Sequence, residues 1–160
     1  MALRRIRRRD DFVLRKKAAK INRFTPGLLQ LLDDMAETMG QAEGAGLAAP
    51  QVGISKRAIV FQNNNSGIFE LVNPEIIMSK GNVTDIEGCL SLPGIYGEVP
   101  RAEHVQVIGL NREGGEVQLE AQGFLARVLQ HEIDHLEGIL FIDRATHLLT
   151  PDELEKLRKK

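Results

Sequence analysis

Residues 130–138 read "QHEIDHLEG". His131 and His135 stand four apart, with Glu132 directly after the first. A helix turns about 100° per residue, so positions i and i+4 project from one face. Measured around the helix from His131, the residues Phe124, His135 and Val128 all fall within about 60°, and Glu132 lies about 100° away. Leu125, Leu129, Ile133 and Leu136 fall roughly between 120° and 200°. Such a helix has two apolar sectors, one for the core and one that carries both histidines beside Phe124 and Val128. Two imidazoles on adjacent turns can share one metal ion, and the neighbouring glutamate can reach a metal-bound water. The competing reading is two histidines satisfied by hydrogen bonds inside a core, and the five-letter pattern alone does not choose.

A hydrolytic site of this kind needs a third protein ligand and an open position. Metzincins continue the pattern to a third histidine. Here Gly138 fits that continuation, but its last position is Phe141, which binds no metal. Glu153 and Glu155 lie on a short terminal helix whose pattern explains them as capping and surface residues. His104 sits in a strand-like run and His147 beside a helix cap, and both read as ordinary. Cys89, in "EGCLSLPG", remains. A thiolate is a strong ligand for a first-row metal, and the residues around it suit a tight segment presenting the sulfur. Two histidines, one cysteine and one open position suit metal-assisted hydrolysis. A third segment, "EGAGLAAPQVG" at 43–53, has small residues that let backbone approach a ligand, and Gln51 could point its amide NH2 at an oxyanion.

The elements that must position these groups form a simple series. "TPGLLQLLDDMAETMG" reads as a helix capped by Thr25, with Pro26 in its first turn, Gly40 at its end and a stripe of Leu28, Leu31, Leu32, Met35 and Met39. "RAIVF", "FELVNPEI", "HVQVIGL" and "GEVQLEA" read as strands, with a turn at 111–115 and a loop at 62–67. "QGFLARVLQHEIDHLEG" is the central helix, ending near Gly138. "TPDELEKLRKK" is a third, with a capping box of Thr150 and Glu153. Hairpin-like connections argue α+β: mostly antiparallel sheets around the central helix, with an N-terminal and a C-terminal helix, in a single domain spanning 1–160.

Composition narrows the setting. The 160 residues are 42% hydrophobic and 27% charged, the balance of a soluble globular protein. No apolar run approaches the roughly 18 residues of a membrane helix, and no apolar h-region follows the basic start. Asp10 and Asp11 interrupt that start, against a transit peptide. Residues 1–20 carry nine Lys/Arg and two Asp, against twelve and twenty in the rest. A solvated basic edge explains this. No aromatic residues interleave the arginines, so no specific nucleic-acid site is expected. A single cysteine excludes an internal disulfide and fits a reducing, cytoplasmic compartment.

Taken together, the segments resemble the peptide deformylase family, with "GAGLAAPQ", "EGCLS" and "QHEIDH" matching its three motifs in order and spacing. The resemblance runs from "VLRKKA" to "ILFIDR". It implies a metal-dependent hydrolase that removes the formyl group from the formyl-methionyl N-terminus of a nascent polypeptide and releases formate. By the same resemblance, Cys89, His131 and His135 bind the metal and Glu132 shuttles the proton. The Gln51 side chain and the Leu90 N–H stabilise the oxyanion. The substrate lies as an added strand beside Ala45 and Gly46. Phe124 and Val128 wall the methionine pocket, and Glu87 belongs to the substrate surroundings. The implied ion is Fe2+, replaceable by zinc, nickel or cobalt; ligand chemistry alone favours zinc. A monomer is expected, and contact with the ribosome stays open. The chain departs from the family pattern in three places. Asp10, Asp11 and Phe12 stand where Gly-Asp-Pro is frequent, Gly40 replaces an aromatic residue or histidine, and Tyr96 lies near a frequent arginine. Arg101 reads either as a support paired with Glu87 or Glu43, or as a surface residue.

Overall fold

The computed structural model describes residues 2–63 and 66–159. A 3-10 turn at Phe12–Arg15 precedes helix α1 (Pro26–Gln41) and strand β1 (Gly46–Ala48). A second 3-10 turn (Ala49–Val52) leads to strands β2 (Ala58–Gln62), β3 (Ile68–Lys80), β4 (Val83–Cys89), β5 (Leu92–Arg101), β6 (His104–Leu110) and β7 (Glu116–Gln122). Helix α2 (Gly123–Leu136), the single turn α3 (Phe141–Arg144), β8 (His147–Leu148) and α4 (Pro151–Arg158) complete the chain. The expected α+β class is the one observed. One sheet has the order β1-β2-β3-β6-β7 and the other β4-β5-β8, with antiparallel pairing within each.

Helix α1 forms as its sequence dictates. Thr25 Oγ1 accepts from Leu28 N–H at 3.1 Å, and the Leu/Met stripe is buried. Its end differs from the expectation. Gly40 stays inside the helix, and Glu43 takes the left-handed conformation (φ 56°) that stops it. Glu43 N–H then donates to Gly40 O and Gly44 N–H to Met39 O, closing the last carbonyls. Helix α4 has the expected capping box, with Thr150 Oγ1 accepting from Glu153 N–H and Glu153 Oε1 from Thr150 N–H. Asp11 takes the N-terminal position that the unusual "DDF" left open, its carboxylate accepting from Val13 N–H to cap the first 3-10 turn.

Helix α2 lies between the sheets. Leu125, Leu129, Ile133 and Leu136 are buried, as the helical projection predicts, against Ile59, Phe61, Val105 and Val107 of the larger sheet. The other side is tied to the smaller sheet by hydrogen bonds: Arg127 donates to Val99 O at 2.8 Å and to Val83 O at 2.7 Å. Gly138 follows α2 with φ 74°, and a Cβ there would come within 2.6 Å of Arg15 O, so a larger residue is excluded twice. Strands β1, β4, β5 and β8 are additions to the sequence reading. Of the loop expected at 62–67, Asn64 and Asn65 lie outside the described residues.

Candidate active site

Three elements bring the candidate groups together. Helix α2 projects His131 and His135 from one face, and their rings meet edge to face with centroids 5.1 Å apart. The end of β4 delivers Cys89, after a register shift between Glu87 and Cys89 breaks the ladder with β5. Cys89 Sγ lies 3.4 Å from His135 Nε2, and one donor atom from each of the three residues falls within 4.8 Å of the others. Phe141, the residue at the metzincin histidine position, is buried and stacks on His131 at 6.2 Å.

This donor set fits a metal ion. A sulfur and two imidazole nitrogens converge, and His131 is already oriented for the purpose. Its Nδ1 lies 2.9 Å from Glu87 Oε1, which turns Nε2 away from the carboxylate. Burial works against charge on His131, yet hydrogen bonds to Cys89 and Glu87 outweigh it and hold the ring protonated up to about 10. Burial, reinforced by the charge on His131, pushes His135 well below the usual histidine range. A cation entering the triad meets one ring that is already neutral and displaces the proton from the other.

Glu87 organises everything behind the triad. Its two oxygens take Arg101 (2.8 and 2.9 Å), Arg127 (2.6 Å) and His131. Arg101 continues to Asp134 at 2.6 Å, and Asp134 also pairs with Arg144. Burial disfavours the Glu87 carboxylate, but Arg101 and His131 prevail and bring it down to about 2. Glu87 lines the cavity, as its expected place in the substrate surroundings requires, with its carboxylate bonded to Arg101, Arg127 and His131. Of the two readings of Arg101, the buried support paired with Glu87 is the one present; it makes no bond to Glu43. Arg127 and Asp134 were missed, although their place in the sequence carried a signal: both are charged residues on the helix that must fill the core.

Gln51 is 1% exposed, and its amide orientation follows from its partners. Oε1 accepts from Ala48 N–H at 2.9 Å, so Nε2 faces Ser91 Oγ at 3.2 Å and Cys89 Sγ at 3.6 Å. Beside it, β1 runs so close to α2 that a Cβ on Gly46 would meet Glu132 Oε2 at 2.7 Å and Val128 Cγ1 at 2.9 Å. Glu132 is buried, and its Oε1 has no hydrogen-bond partner among the described residues. Burial raises its carboxyl to about 7, His131 opposing and Glu87 adding to the shift. An acid of this pKa exchanges protons readily near neutrality.

These groups open onto a cavity of about 470 Å³. Ala45 and Gly46 line it from the β1 side, Ile86 to Leu90 from the β4 side, and Phe124, Val128, His131 and Glu132 from α2. The strands on both sides, β1 and β4, are sheet edges. Phe124 is 69% exposed and Val128 only 7%, so the face predicted to carry both is a rim at one position and nearly core at the other. His104 lies 2.6 Å from Glu120, and His147 pairs with Glu153, away from the triad.

Comparison with known proteins decides the family. Residues 3–150 match the model of polypeptide deformylase. The chain belongs to the polypeptide deformylase family. It is 51% identical over 160 residues to the peptide deformylase of Caldicellulosiruptor bescii, covering 100% of this chain and 96% of that one. It is 55% identical over 149 residues to that of Halothermothrix orenii, covering 92% and 97%. Crystal structures of peptide deformylases agree with the fold. The one from Legionella pneumophila superimposes with a TM-score of 0.86 at 42% identity, covering 99% of this chain and 92% of its own. That from Thermotoga maritima gives 0.87 at 43%, covering 90% and 98%. As a member of the deformylase family, the chain is a metal-dependent hydrolase that removes the N-terminal formyl group from nascent polypeptides.

Proposed function

We propose that Cys89, His131 and His135 hold a ferrous ion and that Glu132, Gln51 and Leu90 carry the deformylation of formyl-methionyl peptides. The observation that carries this reading is that the Gln51 amide NH2, 3.6 Å from Cys89 Sγ, and the buried Glu132 carboxyl, whose Oε1 has no partner among the described residues, share one cavity with Cys89 and His131. An ion bound there supplies a nucleophilic water at neutral pH and polarises the formyl carbonyl. Gln51 Nε2, pointed by Ala48, and the Leu90 N–H donate to the oxyanion that develops at that carbonyl, each worth roughly 3 kcal/mol in comparable sites. Glu132 takes a proton and returns it to the leaving amine, for which a pKa of about 7 is well matched. Formate and a free N-terminus result.

The nascent peptide adds as a strand along the Ala45–Gly46 edge. The edge of β4 across the cavity offers it a second row of backbone groups. The methionine side chain enters between Phe124 and Val128. Glu87 serves the substrate indirectly, by orienting His131. The protein acts as a cytoplasmic monomer: every proposed group comes from one chain, and a ligand thiolate with a ferrous partner needs reducing surroundings. No helix among the described residues is long and apolar enough to cross a membrane.

The test is formate release from formyl-Met-Ala-Ser by protein purified anaerobically, with metal analysis of the same sample. Iron at one per chain with turnover on the formylated peptide is expected. Turnover on the N-acetylated peptide at a similar rate, or internal cleavage, would refute the specificity, and zinc in an equally active sample would refute the ferrous assignment.

A further inference from the structure

We infer that residues 2–9 form a strap that sets Gln51 against the Cys89–Ser91 turn and so tunes the reaction without touching the substrate. Arg7 N–H donates to Gln51 O at 2.7 Å, and Arg9 N–H donates to Ser91 O at 3.0 Å. The two acceptors adjoin different sheets: Gln51, in the second 3-10 turn, follows β1 of the larger one, and Ser91 sits between β4 and β5 of the smaller. The Gln51 amide itself reaches across only through longer side-chain contacts, 3.2 Å to Ser91 Oγ and 3.6 Å to Cys89 Sγ. The strap supplies the shorter backbone link.

Both ends of the strap are fastened. At the far end, Ala2 N–H and Arg4 Nε donate to the two oxygens of Asp34 at 2.8 and 2.9 Å, and Arg4 N–H donates to Thr38 Oγ1 at 2.9 Å. Asp34 and Thr38 are each 3% exposed, polar residues on the buried side of α1 that its apolar stripe leaves unexplained. The strap gives them their function. At the near end, Arg7 Nη1 bonds Asp11 at 3.1 Å, and the guanidinium lies over Gly53, where even a Cβ would come within 2.8 Å of it. The segment is pinned on α1 at its start, meets the two site segments through Arg7 and Arg9 near its end, and is held there by Asp11, the cap of the 3-10 turn that follows.

An oxyanion donor works only when held at the position where charge develops, and small displacements forfeit much of the rate. The inference therefore rests on the donor role proposed for Gln51, and the experiment separates the two. Residues 2–9 are deleted in the metal-loaded protein, alone and combined with Gln51→Ala, and kcat, KM, bound metal and Tm are measured. Deletion should lower kcat about 10- to 100-fold while metal stays at one per chain and KM for the formylated peptide moves by less than about threefold. On the Gln51→Ala background the deletion should lower kcat no more than about twofold further, because the group it positions is already gone. Arg4→Ala, which removes the Arg4–Asp34 ion pair and leaves the two backbone bonds at the far end, gives the same cycle at smaller amplitude if the deleted chain folds poorly, and Arg4→Lys should recover part of the loss. Losses that multiply across the cycle, or an unchanged kcat on deletion, overturn the strap while leaving Gln51 as donor. Full activity in Gln51→Ala overturns both.

Discussion

Glu132 differs from the two histidines beside it by one feature of its surroundings. The histidines lie with the Cys89 sulfur, whereas the glutamate is pressed against Gly46 with one oxygen unpartnered among the described residues. Glu132→Gln keeps the shape and removes the proton acceptor, so metal content should stay at one per chain while kcat falls by at least about 100-fold, the range of general acid–base catalysis. A variant that turns over at near the parent rate would remove Glu132 from the mechanism. Phe124 poses the opposite case. Its exposure of 69% leaves little packing to lose, so Phe124→Ala should change stability by less than about 0.5 kcal/mol. If it walls the methionine pocket, KM for formyl-Met peptides should rise severalfold. A lower Tm with unchanged KM would make it a packing residue instead. The helical projection located Phe124, Val128 and both histidines from sequence alone, because four residues on one face need no tertiary information. It could not locate the neighbour across the face. Val128 is nearly core because the backbone of β1 lies on it, and a glycine-rich "GAGLAAPQ" gives no local sign of being a strand.

At the scale of elements, the β4–β5 hairpin is where sequence and structure part. "VTDIEGCLSLPGIYGEVPR" is rich in Gly, Pro and charged residues that disfavour strands, and its pairing is sustained by contacts far away in sequence. Arg127 on α2 bonds carbonyls of both strands, and Glu87 within β4 binds Arg101, Arg127 and His131. One carboxylate thus joins the hairpin to the helix that carries His131 and His135. Glu87→Gln would leave two buried guanidinium groups short of a countercharge, a loss of about 3–5 kcal/mol for a broken buried pair. The expected outcome is a Tm lower by roughly 10 °C, at about 2–4 °C per kcal/mol for a chain of this size, together with weaker metal retention as His131 loses its partner. Both changes should appear together. A fall in Tm with metal affinity untouched would show that Glu87 braces the hairpin alone. By contrast, α1 and α4 were legible nearly residue by residue, since Thr25 and Thr150 cap through bonds that are local in sequence.

The molecule as a whole is built so that the ion completes the site without creating the fold. Three buried apolar clusters lie around the Cys89–His131–His135 triad: one between α2 and the larger sheet, one under α1, and one joining Leu14, Leu92, Val99, Leu140 and Phe141. Each element that carries a triad residue is anchored in them or in the Glu87 network. A structural metal site behaves otherwise, because its protein unfolds when the metal is removed. Here chelation should leave far-UV circular dichroism and dispersed amide resonances in place. A ligand bound at about 1,000 times its dissociation constant adds about 4 kcal/mol of apparent stability, so Tm should fall by roughly 8–16 °C on chelation. It should return on adding back a divalent ion, in proportion to the logarithm of its free concentration. Loss of cooperative unfolding in the chelated protein would mean that the triad holds the two sheets together. The ion would then be part of the architecture, and the hydrogen bonds of Glu87 and Arg127 would be too weak to do that work alone.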